Sequence, residues 1–264
     1  MAGRKRWLLG SGLVAALGVG WLLSELMHGQ SVATPSRIEL DGQVAELLRR
    51  RQQQPLDGEE ERLLLEQLLA LERLADSIVL VQQQVKLQPK AWRWRLLLSQ
   101  LLLRDGNTRA AETQLALLTR LHPRDLEVLR ALALLRLQQG RPSDALPVLE
   151  AARAGSSGAD AVAIGLLLAD LQRNSGASQA ALKTYKELAE AHPQDVRPVL
   201  AEALMRQDMG DSRQALELLD RARQTRLTSG GSTEDLDRLA ASWGLWTWAE
   251  LGNDDRETTV PQAP

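Results

Sequence analysis

The chain has 264 residues with 32 Lys plus Arg against 34 Asp plus Glu, a net charge of −2, so there is no bulk attraction to nucleic acid or anionic lipid. It contains no Cys, which excludes disulfides, thiolate nucleophiles, Cys-ligated zinc and iron–sulfur clusters. Phe is absent and Tyr occurs once, so little is left to build strands and the leucine-rich remainder reads as helix.

In chain order, residues 1–6 carry Arg4, Lys5 and Arg6, and Trp7 to Ser24 follow without a charge. A helix over 7–27 is long enough to cross a bilayer, which takes about 20 residues. The next basic residue after this stretch, His28 aside, is Arg37. That charge asymmetry predicts a cytoplasmic N-terminus and a translocated body, on the periplasmic or lumenal side. The alternative is a cleaved signal peptide, because Ser31, Val32 and Ala33 are small residues suited to cleavage after Ala33. Gly12, Ala16, Gly20 and Ser24 form one small-residue stripe, which would permit self-association of the membrane helix. Residues 28–57 read as a tether with a short helix at 41–52, and 58–91 as a degenerate helical pair over 60–72 and 75–87.

From residue 92 the chain repeats. Pro89, Pro123 and Pro193 end helix-like stretches, and Gly106, Gly140, Gly176 and Gly210 are spaced 34, 36 and 34. Five residues after each glycine stands Ala111, Ala145, Ala181 or Ala215, and seven before it Ser99, Ala133, Ala169 or Ala203. Nine after come Leu115, Leu149, Tyr185 and Leu219. The run GSSG at 155–158 carries the two extra residues of the third interval and stands where a proline is missing. The pattern predicts a pair of antiparallel helices per repeat, the glycine ending the first and the small residue allowing close approach. A single pair cannot bury its apolar face, so the copies must stack.

These residues resemble the tetratricopeptide repeat (TPR) family over 92–227, as copies 92–125, 126–161, 162–195 and 196–227. The fold implied is an all-α, TPR-type helix-turn-helix solenoid behind a single N-terminal transmembrane helix. Where the family favours an early aromatic, this chain has Arg95, Leu129, Gly165 and Val199; where it favours tyrosine, Leu102, Arg136, Gln172 and Arg206. Glu202 replaces the leucine that Leu98, Leu132 and Leu168 supply, so looser packing is expected in the third and fourth copies. Residues 228–251 read as a capping helix with Leu236, Leu239, Trp243 and Trp246 on one face, Trp248 pointing elsewhere, and 252–264 as a polar, disordered tail.

No nucleophile elbow, phosphate loop, dinucleotide fingerprint or metalloprotease motif is present, so no catalytic, cofactor-binding or metal-binding residues are assigned and the chain is read as a non-enzyme. His122 and His192 are equivalent turn residues before prolines, and the Glu59–Glu61 run reads as a solvated face. The resemblance implies a concave groove for a protein or peptide, lined by Arg93, Leu96, Gln100, Leu103 and Arg104. Glu127, Arg130, Leu134, Leu137 and Gln138 follow, then Ala163, Leu166, Asp170, Arg173 and Asn174, and last Arg197, Leu200, Leu204, Gln207 and Asp208. The Lys and Asn clamp by which one subtype holds chaperone tails is replaced here by Leu96 with Gln100 and Arg130 with Leu134. Residues 90–141 hold ten basic and four acidic residues, which suits an acidic peptide. The arginines lack the aromatic stacking platform that single-stranded nucleic acid requires. Membrane-anchored relatives imply a role in assembling or maturing membrane or exported protein complexes.

Overall fold

A computed structural model describes residues 36–243. The expected membrane span 7–27 with its small-residue stripe, His28, the cleavage position at Ala33, Trp246, Trp248 and the tail lie outside the described residues. Among the described residues there are twelve α-helices, one 3-10 turn and no strand, and no helix is long and apolar enough to cross a membrane. The chain divides into two compact units, Met1–Glu72 and Arg73–Pro264.

In the first unit, α1 spans Arg37–Gln53 and α2 spans Gly58–Ala70. Ser36 caps α1, its Oγ accepting from the Glu39 backbone N–H at 3.3 Å while Glu39 Oε2 accepts from the Ser36 N–H at 2.7 Å. This reciprocal cap corrects the expectation of a tether: α1 begins four residues before the predicted short helix and is fixed against α2. Asp57 and Glu60 cap α2 in the same way, Arg51 Nε lies 2.8 Å from Glu61, and Gln67 Nε2 donates to Gln43 at 2.5 Å. The acidic run 59–61 is therefore not merely solvated, since two of its members hold the helix ends. The expected pair over 58–91 is also revised, because α2 pairs with α1 and the next helix belongs to the second unit.

The second unit contains α3 (Leu74–Leu87), α4 (Trp92–Arg104), α5 (Thr108–Leu121), α6 (Leu126–Gln138), α7 (Leu146–Ala154), α8 (Gly158–Asn174), α9 (Ser178–Ala191), α10 (Val196–Asp208), α11 (Ser212–Thr228) and α12 (Glu234–Ser242). Each helix packs on the next, the 3-10 turn Pro142–Ala145 carrying the contact between α6 and α7. Gly106 shows how a first helix stops: at φ +80° it lets the Asn107 N–H reach back to the Leu102 carbonyl at 2.8 Å. Gly140, Gly176 and Gly210 repeat that conformation. At the other end of each pair, Asp125 and Asp195 accept backbone N–H bonds that start α6 and α10 just after the prolines. The second helix of the second copy is shortened. Pro147 has no N–H to give, so regular α-helix begins only at Leu146 after the 3-10 turn.

The large residues predicted between pairs are core: Leu115, Leu149, Tyr185 and Leu219 are all buried, each worth about 1.5–3 kcal/mol relative to exposure. The third copy is not loosely packed, contrary to expectation. Leu188 fills the space beside Gly165, where a Cβ would stand 2.6 Å from Leu188 Cδ2. At the end of the array, Leu236 and Ala240 of α12 join Val199, Leu219 and Ala222 in one cluster, with Leu239 and Trp243 packed against it.

Candidate functional site

The helices that open each copy, α4, α6, α8 and α10, form the candidate surface. Successive members touch, α4 on α6, α6 on α8 and α8 on α10, while no two successive second helices approach to a comparable extent. Elements packed closely on one side and splayed on the other curve towards the close side. The first helices therefore line the inner face of this unit.

Among the expected groove residues, Leu134, Leu137, Leu166 and Leu200 are half-buried and Leu204 is 41% exposed. Arg93, Arg104, Arg130 and Arg173 are exposed, and Gln100 is half-buried. Leu96 and Leu103 do not line an open groove: Leu96 is only 2% exposed. The reason is that α4 packs on α3 as well as on α5 and α6, so its leucines serve as core.

Several polar groove residues already have partners. Asp170 accepts from the Tyr185 hydroxyl at 2.7 Å, and Arg173 lies 3.8 Å from Asp208 on the adjoining first helix. Burial pushes the Tyr185 hydroxyl well above its ordinary pKa, with the Asp170 carboxylate adding to the effect. Arg197 is held by Asp195, whose carboxyl is lowered chiefly by that hydrogen bond, at 2.6 Å from Arg197 Nη2. Arg104 and Arg130 take part in no ion pair among the described residues.

The arginines at the family's tyrosine position have a role that the sequence reading missed. Arg136 of α6 donates to Glu112 of α5 at 2.5 Å and to Gln139 at 2.6 Å. These contacts hold the Glu112 carboxyl below its usual pKa, the Arg136 bond first and a Gln139 bond second. Arg206 lies 3.4 Å from the buried Glu202 and 3.5 Å from Asp211. The i, i+4 spacing of Glu202 and Arg206 was the available signal. It also explains how a carboxylate replaces leucine there, since a buried charge needs a partner.

His122 and His192 sit at the C-terminal ends of α5 and α9, with the His122 ring 4.6 Å from Trp92. Among the described residues, no three His, Asp or Glu side chains gather where they could hold a metal. A shallow cleft of about 610 Å³ lies at the loop edge between Gly158–Val162 and Ala191–Arg197, away from the leucines of the inner face.

No curated protein matches the chain. Among solved structures, TTC0263, a thermophilic TPR protein in Thermus thermophilus, is similar at 22% identity over 69% of this chain and 96% of its own, with a TM-score of 0.46. MamA 41-end from Desulfovibrio magneticus RS-1 gives 15% identity, 64% and 94% coverage and a TM-score of 0.45. YrrB, described as a TPR protein with an unusual peptide-binding site, gives 14% identity, 75% and 99% coverage and a TM-score of 0.41. The tetratricopeptide repeat family model matches residues 130–196, from within α6 to the first residue of α10, and supports the TPR assignment made from the glycine, alanine and proline columns.

Proposed function

We propose that this chain is a membrane-anchored TPR scaffold that holds a protein segment along the inner face of α4, α6, α8 and α10. The observation that carries this reading is the strip of leucines on that face, Leu134, Leu137, Leu166, Leu200 and Leu204, which no element of the second unit covers completely. Arg93, Arg104 and Arg130 stand exposed towards one end of the strip, so an acidic residue in the held segment suits that end. The TPR family match and the absence of any recognisable catalytic motif support a binding role over an enzymatic one. The apolar sequence 7–27 supports anchoring with the N-terminus in the cytoplasm and the body across the membrane, where it would aid assembly or maturation of a membrane or exported complex.

Photo-crosslinking from position 134 in intact membranes tests the inner face. A discrete adduct is expected there and not from Ser143, and equal labelling from both positions would reject the groove. Replacing Arg93, Arg104 and Arg130 together by Ala should weaken capture. Undiminished capture with an unchanged helical spectrum would reject the acidic-segment reading. Ser31, Val32 and Ala33 favour a second reading, a soluble exported binding protein. A mature chain beginning at Thr34 would select it.

A further inference from the structure

We infer that the loop edge formed by the first two inter-pair junctions of the second unit is a docking surface for an anionic lipid bilayer, distinct from the inner face. Because consecutive helices alternate in direction, the ends of α3 and α5 and the beginnings of α4 and α6 lie on one edge. Two leucines project there, Leu87 at 73% exposure and Leu121 at 61%. They hold the same place in the 34-residue register, at the last turn of each second helix. Trp92 joins the two junctions by stacking on His122 at 4.6 Å, and Trp92 and Trp94 remain half-buried at this edge.

The charges around those leucines have one dominant sign. Lys86, Lys90, Arg93 and Arg120 are exposed and take part in no ion pair among the described residues, Arg93 lying 5.0 Å over the Trp92 ring. Arg124 is also exposed and donates to the Gly155 carbonyl at 2.6 Å. Of the acidic groups at this edge, Asp125 is occupied by the N–H groups of Glu127 and Val128, and Glu127 is half-buried. Projecting aliphatic residues, indoles at their base and flanking cations are what an interface between hydrocarbon and anionic headgroups accommodates. An acidic peptide would be served by the cations alone and would leave two separate leucine tips in water.

The next two junctions lack this chemistry, which separates them from the first two. Gly155 and Ala191 stand where Leu87 and Leu121 do, and Arg197 is neutralised by Asp195. This explains how a chain of net charge −2 presents a cationic edge: the charge is segregated by junction.

The absence of Cys makes a site-resolved test direct. A Gln88→Cys chain labelled with an environment-sensitive fluorophore is incorporated into phosphatidylcholine vesicles with or without phosphatidylglycerol, using nitroxide-bearing lipids as quenchers. Quenching at 88 is expected in the anionic vesicles only, with none for a Ser143→Cys control at the opposite edge. Each cation near an anionic surface contributes about fivefold in partitioning. Replacing Lys86, Lys90 and Arg120 by Ser should thus weaken engagement about a hundredfold while the helical spectrum is unchanged. Lack of quenching at 88, equal quenching at 88 and 143, or indifference to the three substitutions would overturn the proposal. A blue shift at 88 with polyglutamate but not with vesicles would assign the edge to an acidic protein instead. Because the readout compares two edges of one chain, it does not depend on whether residues 7–27 anchor it or on what the inner face holds.

Discussion

The pairs α4–α5 and α8–α9 occupy equivalent places in the repeat and solve the same packing problem with volume placed differently between their two helices. In α4–α5 the first helix is bulky, burying Leu96, Leu98, Leu101, Leu102 and Leu103, while the second buries Leu115 and Leu118. In α8–α9 the first helix still buries Val162, Ile164, Leu168 and Leu171 but narrows at Gly165, where the second helix supplies Leu188 and, farther along, Tyr185. The second solution brings polar groups inside with their partners: Tyr185 on Asp170, and Thr184 donating to Gln172 at 2.9 Å. Summed volume is therefore the constraint that the register imposes, and which helix carries it is free.

The sharpest way to break this symmetry is at the large residue of each second helix. Tyr185→Ala should cost about 3–5 kcal/mol, at the upper end of large-to-small substitutions, because it opens a cavity and also strips Asp170 of its donor. Leu115→Ala should cost less, within about 2–5 kcal/mol. Urea denaturation of the two variants measures the difference, and an equal loss would mean that the hydroxyl contact adds nothing.

Gly165→Ala should destabilise by about 1–3 kcal/mol through overpacking against Leu188, partly offset by the better helix propensity of Ala, about 1 kcal/mol. Combining it with Leu188→Ala should give a double-mutant cycle in which the clash disappears. In the first pair the equivalent Arg95 is half-buried, with Nη1 2.9 Å from Gln114, and Arg95→Ala should cost under about 1 kcal/mol. Tyr185→Phe isolates the hydroxyl and should cost about 1 kcal/mol, read from the same denaturation midpoints.

The smallest effect expected is on acid stability. Glu112 and Asp195 both have folded pKa values lowered by their arginine partners. Their stabilisation is complete above the ordinary carboxylate values of about 4 and disappears as pH falls through the lowered values. Arg136→Gln should flatten the Glu112 part of a stability profile below pH 5, and Arg197→Gln the Asp195 part. An unchanged acid limb in both variants would show that these pairs are too solvated to contribute.

The repeating helices were legible because Gly, Ala and Pro columns are backbone requirements, and a backbone requirement leaves little choice of residue. Ser36 and Glu39 also spell out the start of α1, and Leu40, Val44 and Leu47 follow them at helical spacing. The inner face was less legible. The TPR register indicates which residues project from a first helix but not what covers them, so Leu96 and Leu103 were expected in the groove although both are buried where α4 packs among α3, α5 and α6. The shortening of α7 could have been read from Pro147, whose missing donor has no remedy inside a helix.

That short helix has a consequence for how the array comes apart. In stacked repeats each copy is stabilised mainly by its nearest neighbours, so unfolding spreads from the weakest interface. With nine residues and a 3-10 start, α7 offers fewer backbone bonds than the 14 residues of α5 or α9 or the 17 of α11. Amides of residues 143–155 should therefore be the first in the interior of the array to exchange with deuterium. Beside that seam, Arg124 reaches across 31 residues to the Gly155 carbonyl, fastening the end of the short helix to the preceding junction. Severing that link with Arg124→Ala should speed exchange at residues 150–155 further, while the buried cluster shared by α6, α7 and α8 keeps the two sides of the seam coupled.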